Sequence, residues 1–372
     1  MSTLKVDTIR NYDSAVDFSQ GLNIGGTSII QNYTESADMP SSPSNGDYWW
    51  DTGNNKLYKY MDSGFKELGI APPPSNPWSG DRGMIAGGET STASISNVVQ
   101  YFDITTAGNT QDFGDLTTTT ENAAGASSSA RGLSLGGSGT SGLAEIQYVT
   151  ISTLGNAQDF GDLATGVYYH AACSDGTKAF VNGGYNGSFL NQIQYVTIAT
   201  TGNAADWGDL VGTSWLGMAA TADTTRVVHY VGHRSGYTNA IDYYSTASAG
   251  NASDFGNATA ATGQAGACSD ATRAVIGGGT PDGGTTIYNK IDYLTIQTTG
   301  NAADFGDLTA ARFRPDACAN YTRGVFSGGN AASSTKQNVM DFVTIQTTGN
   351  ATDFGDLLEA TVNHCSFSGS PS

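Results

Sequence analysis

Six cations and six carboxylates recur at matched positions along this chain. The cations are Arg82, Arg131, Lys178, Arg226, Arg273 and Arg323, and each is followed further on by Asp112, Asp159, Asp206, Asp254, Asp304 or Asp353. A second Asp stands three residues after the first in every case but the fourth, where Asn257 replaces it. A ring of Arg and Lys could take phosphate or sugar, and paired Asp could take calcium. Calcium needs six or more oxygens in a tight loop, and two Asp per turn fall short of that, so no metal is assigned. Turn capping and ion pairing between neighbouring repeats account for both sets, which makes them a structural ring. Cys173, Cys268 and Cys318 each lie five residues before one of the cations, at equivalent positions filled elsewhere by Ala126 and Thr221. Small buried thiols suit that pattern, and with Cys365 they form no CxxC or Cys/His zinc spacing. His170, His229, His233 and His364 are scattered. No HExxH, GxSxG, phosphate-binding loop or paired catalytic carboxylate is present. The expectation is therefore no enzyme, no catalytic residue and no cofactor.

The residues around these positions form a repeat. The clearest copy is Tyr293–Leu308, YLTIQTTGNAADFGDL, and five others begin at Tyr101, Tyr148, Tyr195, Tyr243 and Phe342. The aromatic of D-[FW]-G falls at Phe113, Phe160, Trp207, Phe255, Phe305 and Phe354, so successive copies are 47, 47, 48, 50 and 49 residues apart. A fixed period of this size marks a repeat architecture. The first half of each copy carries β-branched and aromatic residues on both alternating sets, as in a strand covered on both faces. The second half, T-G-N-x-x-D-[FW]-G-D-L, is turn chemistry. Each unit is read as four strands: A, a small-residue run; B, opened by the cation and ended by a Gly pair such as Gly183–Gly184; C, the aromatic strand; and D, around D-[FW]-G. The fourth unit departs from the Gly pair, with Val231–Gly232.

Six such units predict an all-β fold, a six-bladed β-propeller over residues 78–372. The first unit lacks a strand A, and the last runs on into EATVNHCSFSGS with no following strand B. The C-terminal strand is expected to complete the first blade beside Met84 and to remove two open edges.

A four-stranded meander puts the A–B and C–D turns on one face, together with both repeated charge sets. The B–C and D–A loops fall on the other face and vary from unit to unit. They hold the candidate ligand-binding aromatics Tyr168, Tyr169, Tyr185, Phe189, Trp215, Tyr237, Tyr288 and Phe313. Recognition tends to sit on loops carried by a rigid scaffold. Aromatic rings among Asn, Asp and Ser suit a sugar, stacking on its apolar faces while the polar groups take its hydroxyls. Ordinary packing at the blade edges is the competing account of each ring.

Residues 1–70 precede the repeats. Trp49–Trp50, Leu57–Tyr60 and Phe65–Leu68 read as a small β-meander, and the Pro-rich run 71–77 reads as the linker. The chain enters the first blade at Arg82 on the constant face, so the variable loops are expected to point away from the N-terminal module. Net charge is −18 with 13% charged residues, which argues against a nucleic-acid or anionic-membrane partner. The first residues carry no apolar secretory core, and no run approaches the length of a spanning helix; synthesis in a cytoplasm is expected.

In the order of Gly pair, strand C aromatic and strand D Phe or Trp, the chain resembles the kelch propellers, although those usually carry Trp where five of these six units carry Phe. The wording T-T-G-N-A-x-D-F-G-D-L resembles repeats of bacteriophage tail-fibre-like virion proteins. Residues Pro40–Tyr60, PSSPSNGDYWWDTGNNKLYKY, resemble a short module of phage tail fibres, and Leu4–Ile9, LKVDTI, is similar to their N-terminal attachment segments. The resemblance implies a virion protein made in a bacterial cytoplasm, docked on other virion proteins through residues 1–70 as a homo-oligomer, with a trimer the implied state. Its propeller would be displayed for host-surface or glycan recognition. A purely structural decorating protein of capsid or tail is the alternative.

Overall fold

The computed structural model describes residues 80–138, 142–213, 219–230, 232–234 and 236–371, and before them 23–24, 27–28, 33–36, 39–42, 44, 47–51, 56–61 and 64–67. The chain divides into two units, Met1–Ser75 and Asn76–Ser372. The linker at 71–77, Val231 and Trp215 lie outside the described residues.

In the first unit, Tyr48–Asp51, Lys56–Met61 and Gly64–Glu67 pair antiparallel as a meander. The sequence reading missed a fourth strand, Tyr33–Ser36, which pairs parallel to Tyr48–Asp51. Trp49 is buried and stacks on Tyr58 at 5.0 Å, with Phe65 at 5.4 Å.

The second unit is a six-bladed β-propeller. Each blade is a four-stranded antiparallel sheet in sequence order A-B-C-D. Blade 2 is typical: Ala124–Ser127 (A), Arg131–Leu135 (B), Glu145–Thr150 (C) and Gln158–Asp162 (D). Blade 1 takes its strand A from the C-terminus. Cys365–Gly369 pairs with Arg82–Ala86, placing Phe367 opposite Met84 and Cys365 opposite Ala86. The ring closes where the sequence predicts.

Six apolar clusters fill the six seams between blades. The last of them joins Ile85, Phe102 and Ile104 of blade 1 to Val325, Met340 and Phe354 of blade 6. In every blade the strand D aromatic sits at a β-bulge, where the register shifts against strand C. The bulge turns Phe160 and its counterparts inward, so these rings are almost fully buried. The four cysteines are free and buried.

The Gly pair after strand B occupies left-handed backbone, with φ +61° and +120° at Gly136 and Gly137 and similar values at the other described pairs. The N–H groups there bond outward: Gly137 N–H donates to the Val167 carbonyl of the next D–A loop. Strand A, rich in Ala, Ser and Cys, forms the wall of an axial channel of about 170 Å³. Only small residues leave six strands room to converge on one axis.

Candidate functional site

The two faces of the propeller use their side chains differently. On the face of the A–B and C–D turns, the repeated cations are committed to the ring itself. Each guanidinium lies over the strand C ring of its own blade, at 4.4 to 5.0 Å for Arg82, Arg131, Arg226, Arg273 and Arg323. Lys178 lies over Trp207 instead, at 5.6 Å. Each also donates to a carbonyl at the end of strand C in the next blade: Arg82 to Ile151, Arg131 to Ile198, Lys178 to Thr246, Arg226 to Ile296, Arg273 to Ile345, and Arg323 back to Ile104. The repeated Asp112, Asp159, Asp206, Asp254, Asp304 and Asp353 are exposed. Among the described residues none of them pairs with these cations. The ion pairing between repeats expected from the sequence is thus replaced by cation–π contacts and carbonyl bonds, because strand C presents its ring and its last carbonyls at the right height. No cluster of three or more metal-ligating side chains occurs among the described residues.

The T-G-N segment completes this rim. Asn156 Oδ1 accepts the Asp115 N–H of the preceding blade at 3.1 Å, and Ala157 N–H donates to the Asp115 carbonyl at 2.7 Å. Asn203, Asn251, Asn301, Asn350 and Asn109 repeat the contact around the ring. A Cβ on the Gly of D-[FW]-G would overlap the carbonyl of the facing T-G-N glycine at all six seams, and each of these glycines has φ between +139° and +152°. The motif that dominates the sequence is therefore the clasp between blades.

The loop face has no such uniformity. It brings together four of the candidate rings, from two loops of blade 3. Tyr168 pairs backbone with Tyr185, and their rings meet edge-on at 5.4 Å. Tyr169 lies 5.0 Å from Tyr168, and Phe189 lies 5.2 Å from Tyr185. The three tyrosines are half-buried and Phe189 is exposed. The other candidates serve differently. Phe313 is buried and packs on Gly284, where a Cβ would come within 2.8 Å of its ring. Tyr237 sits edge-on to His233 at 5.1 Å. Tyr288 carries the Lys290 ammonium over its ring at 5.7 Å.

At the centre of this face the axial channel opens among five side chains, of which the sequence reading singled out only Tyr169. Asn122, Tyr169, Gln264, Arg314 and Asn363 all stand two residues before a strand A, and all line the channel. All five adopt left-handed backbone, with φ between +54° and +60°. Gly217 fills the sixth position in the sequence. Arg314 Nη1 donates to Asn363 Oδ1 at 3.2 Å, and the guanidinium lies 5.6 Å from the Tyr169 ring. Asn363 Nδ2 in turn donates to Glu121 Oε2 at 3.3 Å. Below the mouth, Asp316 accepts the N–H groups of Ala317 and Ser366, and burial pushes its carboxyl up to about 7.

No protein-family model matches this sequence, and no curated protein is significantly similar to it. The site presents a patch of adjoining rings, neutral amides and one guanidinium around a narrow polar opening. That inventory offers stacking, hydrogen bonding and charge.

Proposed function

We propose that this chain is an appendage protein of a bacteriophage particle, and that the loop face of its propeller recognises a host-surface glycan. Support for the particle comes from the sequence: the tail-fibre-like wording of Pro40–Tyr60 and Leu4–Ile9, and the T-T-G-N-A-x-D-F-G-D-L repeats. On this reading residues 1–70 attach to other virion proteins, in a trimeric assembly. Support for recognition comes from the contrast between the two faces. One rim spends its cations and its Asn side chains on neighbouring blades, and the other gathers Tyr168, Tyr169, Tyr185 and Phe189 from separate loops. That grouping carries the proposal. A sugar covers such rings with its C–H faces, and its hydroxyls reach the Asn and Gln amides at the channel mouth.

The test is binding of the intact chain to an array of bacterial surface oligosaccharides, beside Tyr168→Ala and Tyr185→Ala. We expect binding that falls about tenfold or more in each variant, the loss of one stacked aromatic contact. A chain that binds no glycan, or whose binding ignores both substitutions, contradicts the proposal and leaves the decorating role.

A further inference from the structure

The cations of the propeller can be accounted for one by one. Six bind carbonyls of the neighbouring blade on the clasped rim, as above. Four more are paired with carboxylates: Arg234 with Asp242 at 2.8 Å, Lys290 with Asp292 at 2.9 Å, Arg312 with Asp341 at 2.9 Å and Lys336 with Glu89 at 3.0 Å. Arg314 remains. Among the described residues it has no carboxylate partner; one nitrogen meets the neutral amide of Asn363. A guanidinium carries five donors in a planar fork, so most of its capacity faces the channel mouth unspent. Beside it stands Gln264, whose backbone carbonyl accepts the Arg314 N–H. Gln264 is only 3% exposed, and its Oε1 has no hydrogen-bond partner. A buried acceptor left without a donor is costly. The guanidinium at the mouth, with donors left over, complements a carboxylate.

The aromatic contacts extend this point into a track. From the exposed Phe189 they run through Tyr185, Tyr168 and Tyr169 to Arg314, each step between 5.0 and 5.6 Å. The line leads from a B–C loop to the axis. A single sugar would use one or two of these rings, whereas a chain of sugars uses all four. Asp316 lines the channel wall below.

We propose that the loop face binds an extended acidic oligosaccharide, one carboxylate-bearing sugar seated on Arg314 at the mouth of the axial channel and the following sugars laid along Tyr169, Tyr168, Tyr185 and Phe189. This rests on the glycan-recognition reading and gives it a ligand class and a polarity.

The experiment compares the intact chain with Arg314→Gln and Phe189→Ala. The probes are uronic-acid oligosaccharides of graded length, the same oligosaccharides methyl-esterified, and the remaining acidic and neutral glycans of the array. The substituted position tolerates Gln, because Gln264 holds the equivalent left-handed position in blade 5. Circular dichroism of each variant checks that it folds. The array hits should carry carboxylates, and Arg314→Gln should weaken them about 10- to 100-fold, the worth of a hydrogen bond to a charged group. Masking the carboxylate as its methyl ester should do the same to wild type and nothing further to Arg314→Gln. Phe189→Ala should weaken long oligosaccharides and leave short ones unchanged. Neutral hits that Arg314→Gln leaves intact, while Tyr168→Ala weakens them, would overturn the acidic ligand and keep glycan recognition. Binding by neither class would overturn both.

Discussion

Gly208 shows what a single atom decides in this molecule. Its Cβ would overlap the Gly250 carbonyl of the next blade, and its φ of +152° already disfavours a side chain. Gly208→Ala should therefore destabilise the propeller by about 2 kcal/mol or more, combining backbone strain with a displaced clasp. Asn251→Ala removes only the bond to the Asp209 N–H and should cost about 1 kcal/mol. Urea unfolding of both variants checks the ranking. The buried imidazoles set a second property at this scale. Burial pushes His170 and His364 down to about 4, and His229 down to about 3, from an ordinary value of 6.5. The unfolded chain takes up these protons as pH falls below 6.5, and the folded chain does not, so the stability they confer is present above 6.5 and lost toward 4. Asp316 has the opposite sign: its raised value favours the fold at low pH, and that contribution is lost as pH rises toward 7. Burial also raises the Asp242 carboxyl, and three imidazoles outweigh these two carboxyls, so Tm should climb as pH rises from about 4.5 to 6.5. A flat or falling Tm in differential scanning calorimetry would contradict this.

Strand C carries a buried polar residue at one fixed position, and it explains several of the cations. The position holds Gln100, Gln147 and Gln194 in blades 1 to 3 and Asp242, Asp292 and Asp341 in blades 4 to 6, all at most 5% exposed. Each accepts the N–H that follows the strand D segment of the preceding blade, as Gln147 does from Thr117 and Asp341 from Thr309. Only the Asp versions require a cation, and each has one. Arg312→Met should leave Asp341 charged and alone in the interior, costing about 3–5 kcal/mol. Adding Asp341→Gln should restore most of that, because three sibling blades already work with Gln and no cation. Equal instability of the single and double variants in urea would contradict the account. This pairing was not legible in the sequence. The partners come from three places, Arg234 and Lys290 within their own blade and Arg312 from a neighbouring loop, so no spacing announces them. The clasp was legible as turn chemistry, but its partner was not, since the repeat alone does not say that T-G-N meets F-G-D of another blade.

The whole ring was readable because punctuation and period agree: Gly pairs, the aromatic of D-[FW]-G and an orphan strand at the C-terminus fix the blade count and the closure. The loop face was readable only as a face. Which rings touch depends on how Val167–His170 and the Tyr185–Phe189 hairpin fold against each other, and these loops differ in every blade. The left-handed positions at the channel mouth escaped notice because Tyr169, Gln264 and Arg314 are unusual there; Asn122, Asn363 and Gly217 at equivalent positions were the signal. Closure also carries a prediction at this scale. Truncation after Ala360 strips blade 1 of its inner strand and exposes the edge at Arg82–Ala86, so the truncated chain should lose its cooperative thermal transition and aggregate. The central claim is that the two faces divide the labour, one binding the ring together and the other binding a glycan. Hydrogen exchange of the intact chain, with and without its strongest-binding array oligosaccharide, tests that division most directly. The account predicts new protection at residues 165–169, 185–190 and 312–314, and none in the C–D turns. Protection confined to the C–D turns, or none anywhere on the loop face, would contradict it.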